Sequence, residues 1–341
     1  MHEPVRTNWA AVAPEVDRRR CSRSSGMAHG HRQVLRARTD LVCALAVLGP
    51  SYVRSFRVPL NAASTARAAS STGRWVKLTR WQGSAAGADG RCESLYQRIL
   101  RAEQSSRTLI GSWNCIGSPE VTEVLADSGM DFVCLDMEHS SMSLETVAHN
   151  IRAAQAAMAP PVVRVPGLGP GRNNCKEIMR VLDLGASAVI IPGAQSKEDV
   201  EEALAAGMFP RPLAQGGGGG FRGANPFVRA GSHGLEPPSG YHKRSNEEVL
   251  VIPLLETPSA LENIEDIMRV EGLKVVAFGP FDLSVAMGYD GVRSKEVEDA
   301  LMRGVQVSKQ QSGTTQMSNV FTYCASAAFF AFFMSSSSHE A

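Results

Sequence analysis

The chain has 341 residues, a formal net charge of +1 and 43% hydrophobic residues. That composition is ordinary for a globular protein, and a balance near neutral does not suggest a nucleic-acid partner. The seven cysteines form no CxxC pair and no zinc-type Cys/His spacing, so they read as reduced thiols rather than a disulfide or metal framework.

Residues 1–94 read as an extension without a sustained helical or strand period. Their first part is rich in Arg, Ser and Ala (Arg18, Arg19, Arg20, Arg32, Arg36, Arg38, Arg54, Arg57) and holds few acids. This is the composition of an organelle transit peptide or of a disordered segment, so the expected location is cytoplasmic or, with a transit peptide, mitochondrial or plastid. Residues 95–306 alternate strand-like and helix-like segments, and residues 307–341 read as a low-complexity tail ending in a serine run. The apolar stretch at residues 324–334 is short of the roughly 20 residues a membrane helix needs, so no membrane association is expected.

In chain order, Leu109-Ile110-Gly111-Ser112-Trp113 predicts a first strand. Ser118-Pro119-Glu120 then supplies an N-cap, a proline at the first helical position and an acid in the first turn. Phe132-Val133-Cys134-Leu135 is apolar throughout, as a strand buried on both faces should be. Ser143 caps a helix with Leu144, Val147, Ala148 and Ile151 on one face. Pro161 to Val165 is the third strand, followed by a helix carrying Ile178, Val181 and Leu182. Ala188 to Ile191 is the fourth, followed by a helix capped by Ser196. After Gly207 comes a glycine- and proline-rich loop, residues 209–241. Val249 to Ile252 and Val275 to Phe278 are strands five and six, with a helix at residues 260–268 between them. Strands alternating with helices predict a parallel sheet. Without a dinucleotide-binding glycine fingerprint, repeated units of this kind favour a TIM (β/α)8 barrel of the α/β class.

In such a barrel the chemistry lies at the carboxyl ends of the strands. The polar residues just past the apolar runs are Asp136, Glu138 and His139 after strand two, Arg164 at the end of strand three, Glu256 after strand five and Asp282 after strand six. Buried together, these charges must pair, bind metal or bind substrate. Glu256 and Asp282, on separate strands, suit a hard divalent cation such as Mg²⁺. Arg164 suits an enolate oxygen or a carboxylate, and a histidine three residues after an aspartate suits a general base. Lys176, Lys197, Lys243 and Lys274 fall away from strand carboxyl ends, which argues against a Schiff-base mechanism. The glycine run at residues 216–220 imitates a phosphate loop, but no Lys-Ser/Thr follows it.

The stretches FVCLDMEH (132–139), PVVRVP (161–166), VLDLGASAVIIP (181–192), Leu255-Glu256-Thr257 and GPFDLS (279–284) together resemble the HpcH/HpaI aldolase family, over about 210 residues. The resemblance implies a barrel of the phosphoenolpyruvate/pyruvate type. It also implies a divalent-metal-dependent aldolase that cleaves or forms 4-hydroxy-2-oxo acids, with pyruvate and an aldehyde as the other partners. It implies Mg²⁺, Mn²⁺ or Co²⁺ held by Glu256 and Asp282, and His139, held by Asp136, as acid and base. Arg164 would face the enolate. Glu138 and Asp183 would hold metal-bound waters, and the backbone N–H groups of Phe281 and Asp282 would meet the substrate carboxylate. A homo-oligomer, a hexamer in the family, is implied as well. A citrate-lyase-β-like acyl-CoA lyase and a truncated non-catalytic relative are the alternatives. The sequence departs from the family at the glycine run, at Leu254, where a polar residue is frequent, and after residue 306, where strands seven and eight are not recognisable.

Overall fold

The computed structural model describes residues 90–311, apart from residues 106, 108, 170 and 290–293, together with the strand backbones at 66–68, 76–78, 319–326 and 329–335. Most of the expected transit segment therefore lies outside the described residues. Within it, two three-residue strands, β1 (Ala66–Ala68) and β2 (Val76–Leu78), pair antiparallel.

Six parallel strands form in the expected places: β3 (Leu109–Asn114), β4 (Phe132–Asp136), β5 (Pro161–Arg164), β6 (Ala188–Ile191), β7 (Leu250–Leu255) and β8 (Val275–Phe278). Among the described residues no seventh or eighth βα unit forms, as the sequence indicates. Their places are taken by a hairpin from the tail. β9 (Asn319–Ser326) runs parallel to β8, and β10 (Phe329–Ser335) runs antiparallel to both β9 and β3, closing the barrel. Two successive strands without an intervening helix carry no βα period, so the alternating pattern could not announce them. Closure leaves the barrel sheet without an unpaired edge.

Alternation along the strands sorts the apolar residues into two shells. Leu109, Trp113, Phe132, Cys134, Val162, Ala188, Ile190, Leu250, Ile252, Leu254, Val275 and Ala277 fill the interior. Val133, Leu135, Val163, Val189, Val251, Leu255, Val276 and Phe278 face the helices. The interior is closed at the amino ends of the strands by α1 (Leu95–Gln104), whose Leu95 and Ile99 are fully buried in the same cluster. The Arg98 guanidinium ties α1 down by donating to the carbonyls of Asp131 and Met158. At Gly111 a Cβ would lie 2.2–2.5 Å from the Phe132 ring, so only glycine lets β3 and β4 close over that side chain.

The outer helices are α2 (Pro119–Asp127), α3 (Leu144–Ala156), α4 (Cys175–Asp183) and α5 (Lys197–Gly207). Ser118, Ser143 and Ser196 cap three of them as expected, Ser196 in a full capping box with Asp199. The segment after α5 is not loop throughout. Its second part is α6 (Pro238–Glu248), hidden from sequence reading because only Tyr241 and Ser245 of its residues are buried and no apolar stripe marks it. The helix expected at residues 260–268 is broken at Asn263 into α7 (Pro258–Glu262) and α8 (Ile264–Met268). The chain then forms α9 (Pro280–Ala286) and α10 (Lys295–Gln311), the latter crossing the expected boundary at residue 306. Among the described residues no helix is long and apolar enough to cross a membrane.

Candidate active site

The strand ends bring together most of the residues that the sequence singles out. Asp136 is the last residue of β4 and Arg164 the last of β5, and the two are aligned partners in the sheet. Arg164 donates from Nε to Asp136 Oδ1 at 2.9 Å and from Nη2 to Oδ2 at 2.6 Å, a two-point fork. Its Nη1 lies 3.3 Å from Glu138 Oε2, and its guanidinium carbon sits 4.5 Å from the centre of the Trp113 ring. Burial alone would raise the Asp136 carboxyl, but the Arg164 hydrogen bonds and charge outweigh it and hold it below the usual range. Burial would pull Arg164 down, but Asp136 and Glu138 raise it. The guanidinium is thus permanently charged and fixed in plane.

Glu256 follows β7 directly and is 8% exposed. Its Oε1 accepts from the Gly193 N–H at 2.7 Å. Burial first, and then the charge of Asp282, carry its carboxyl up to about 8. The buried Glu256 carboxylate and the exposed Asp282 carboxylate repel one another, a repulsion a cation would relieve, so the donor set fits a divalent ion completed by water and substrate oxygens. Among the described residues no group of three or more His, Cys, Asp or Glu gathers into a cage. Gly279 makes the Glu256 position possible, since a Cβ there would lie 2.8 Å from both Cβ and Oε2 of Glu256. A cleft between these groups is lined by Trp113, Arg164, Ile190, Leu254, Gly279, Phe281 and Asp282. Asp282, in the first turn of α9, is thus on one cleft with Arg164. Phe281 is half exposed at its mouth.

Two expected contacts come out differently. Asp136 does not hold the His139 ring: it accepts from the His139 backbone N–H at 3.3 Å, while its carboxylate is committed to Arg164. The imidazole is 65% exposed, with Nε2 3.9 Å from Glu138 Oε2, so Glu138 is its acidic neighbour. Asp183 does not lie beside Glu256 in its own chain. It is the last residue of α4, and helices run back against the strands, so it sits at the amino-end face of the barrel. There it pairs with the buried Arg222 at 2.6 Å, and Arg222 also donates to Tyr241 and Ser245.

Trp113 and Cys115 also belong to the site, and being uncharged they do not stand out in the pattern of charges at the strand ends. Trp113 is 6% exposed and forms a wall of the cleft. The Cys115 thiol donates to Asp136 Oδ2 at 3.6 Å, and burial and Asp136 push it up to about 11. Parity was the available signal, since Trp113 shares the inward face of β3 with Leu109.

A barrel with a fixed guanidinium and acidic side chains at its strand ends fits the class that its relatives define, the carbon–carbon lyases of aldolase type. The chain is a member of the HpcH/HpaI aldolase/citrate lyase family, whose model matches residues 109–331 and so reaches into the closing hairpin. A hydroxypyruvate/pyruvate aldolase of Sagittula stellata is 33% identical over 210 residues, covering 61% of this chain and 76% of that one. A 4-hydroxy-2-oxo-heptane-1,7-dioate aldolase of Escherichia coli is 30% identical over 222 residues, covering 65% and 78%. A solved HpcH/HpaI family structure from Burkholderia cenocepacia superposes with a TM-score of 0.58 at 29% identity, covering 66% of this chain and 84% of that one. The family is generally dependent on a divalent metal.

Proposed function

We propose that Glu256 and Asp282 hold Mg²⁺, Mn²⁺ or Co²⁺ and that the site cleaves 4-hydroxy-2-oxo acids to pyruvate and an aldehyde. The observation that carries this reading is the buried Glu256 carboxyl, raised by the charge of Asp282, which itself lines one cleft with a fixed Arg164. The bound ion would supply Lewis-acid polarisation of the 2-oxo acid.

The chain's own residues supply the rest. Arg164, held flat by Asp136 and Trp113, faces the oxygen that becomes negative as the C3–C4 bond breaks. Phe281 and Asp282 offer first-turn N–H groups of α9 to the substrate carboxylate, as N–H groups there have no intrahelical acceptor. His139, exposed at the mouth beside Glu138, takes the 4-hydroxyl proton. The electrons of the broken bond pass into the enolate, which is reprotonated at C3 to give pyruvate. A homo-oligomer is part of the reading, and light scattering on the purified chain tests it. An organellar address in residues 1–94 would show as import of a fluorescent fusion.

Pyruvate release from a 4-hydroxy-2-oxo acid, followed with Mg²⁺, with Mn²⁺ and with EDTA, decides the matter. Metal-dependent release that falls at least a hundredfold in Arg164→Ala supports the reading. No release from folded protein overturns it.

A further inference from the structure

On β7, Leu250, Ile252 and Leu254 all belong to the interior cluster, so the strand's inward face continues to Glu256 two residues on. Leu254 is therefore one step below the carboxylate, deeper in the barrel. Ile190 on β6, the register partner of Ile252, and Trp113 on β3 line the same cleft. Leu254, Ile190 and Trp113 are 5%, 1% and 6% exposed. The site is thus layered. Charge lies at the strand ends, in Arg164, Asp136, Glu256 and Asp282, and a hydrocarbon floor lies beneath it.

A 2-oxo acid has a definite way to sit on such a floor. Its carboxylate and carbonyl oxygens go to the charged layer. Its C4 side must point to the mouth, because the aldehyde enters and leaves there. The remaining substituent of C3 is then turned downward. A hydroxyl in that place would leave water for Leu254 and Ile190, neither of which offers a hydrogen bond.

We propose that Leu254 is a specificity-determining residue. With Ile190 it makes the site prefer a 2-oxo acid nucleophile whose C3 bears hydrogen or alkyl, such as pyruvate or 2-oxobutanoate, over hydroxypyruvate. The inference rests on the aldolase reading above. In the synthetic direction C3 gives up a proton and forms the bond to the aldehyde carbon, whose oxygen takes up a proton. The C3 substituent stays in place throughout, so its contact with the floor counts in both ground and transition states. An apolar pocket rejects an added hydroxyl by on the order of a hundredfold. The Sagittula stellata relative is named for both nucleophiles, which makes a strong preference here a distinguishing property.

The experiment measures kcat/KM for pyruvate and for hydroxypyruvate with one common aldehyde, using the full chain with Mg²⁺. Leu254→Gln and Leu254→Met are measured beside it, with calorimetric affinities for both acids on all three proteins. Wild type should prefer pyruvate by about ten- to a hundredfold. Leu254→Gln, which places a donor and an acceptor on the floor, should cut that ratio tenfold or more, mainly by improving hydroxypyruvate. Leu254→Met should keep the wild-type ratio. Equal use of both acids by wild type, or an unchanged ratio in folded Leu254→Gln, overturns the proposal. If no protein turns over, the aldolase reading fails. The affinity ratio then still decides the floor: a pyruvate preference that Leu254→Gln erases supports it, and equal affinities refute it.

Discussion

Replacing Glu256 by Gln should stabilise the metal-free protein, and more so as the pH rises. Glu256 stands at about 8 in the fold against 4.5 when free. The unfolded chain therefore gives up this proton at lower pH than the folded one. Stability linked to the group is complete below 4.5 and is lost as pH rises toward 8. At pH 8 the loss is about 4 kcal/mol. Glu256→Gln is neutral at every pH and escapes it. In EDTA the variant should match wild type near pH 5 and melt higher by on the order of 10 °C at pH 8. Millimolar Mg²⁺ should restore wild type progressively with pH, because the ion needs the ionised carboxylate, and should leave the variant unmoved. The assay is thermal unfolding by circular dichroism at several pH values with EDTA or Mg²⁺. A difference between variant and wild type that does not change with pH would refute the reasoning.

Other substitutions probe separate parts of the same structure. Gly279→Ala places a methyl 2.8 Å from Glu256 Oε2 and should weaken divalent binding at least tenfold in calorimetry while the fold survives. Gly111→Val drives side-chain atoms into the Phe132 ring, and urea titration should show a loss of about 3 kcal/mol or no soluble protein. Asp136→Asn removes the charge that holds the buried Arg164 and should lower kcat by roughly a hundredfold and lower the melting temperature as well. Arg222→Met strands Asp183 at the opposite face and should cost about 3 kcal/mol of stability while the KM of surviving protein is unchanged.

Local rules carried the sequence reading a long way. Three serine caps, the two-face burial of Phe132 to Leu135 and the alternation of strand and helix need only neighbours in the chain, and all appear in the fold. Because parallel strands put their carboxyl ends on one face, the residues after each run were also legible as one site: Asp136, Arg164, Glu256 and Asp282. Tertiary structure decided what depends on distance through space. Asp136 has one carboxylate to give, and the guanidinium of β5 takes it, so His139 turns outward to Glu138. Asp183 lies in a stretch that resembles the family, yet a helix's last residue faces the far end of the barrel, and there it meets Arg222. The tail shows no βα period, but the open edges of β3 and β8 offer backbone partners, and β9 and β10 occupy them. The apolar floor of Leu254 and Ile190 and the Trp113 wall beside it come from three strands far apart in sequence. Only the closing of the barrel puts them around one substrate.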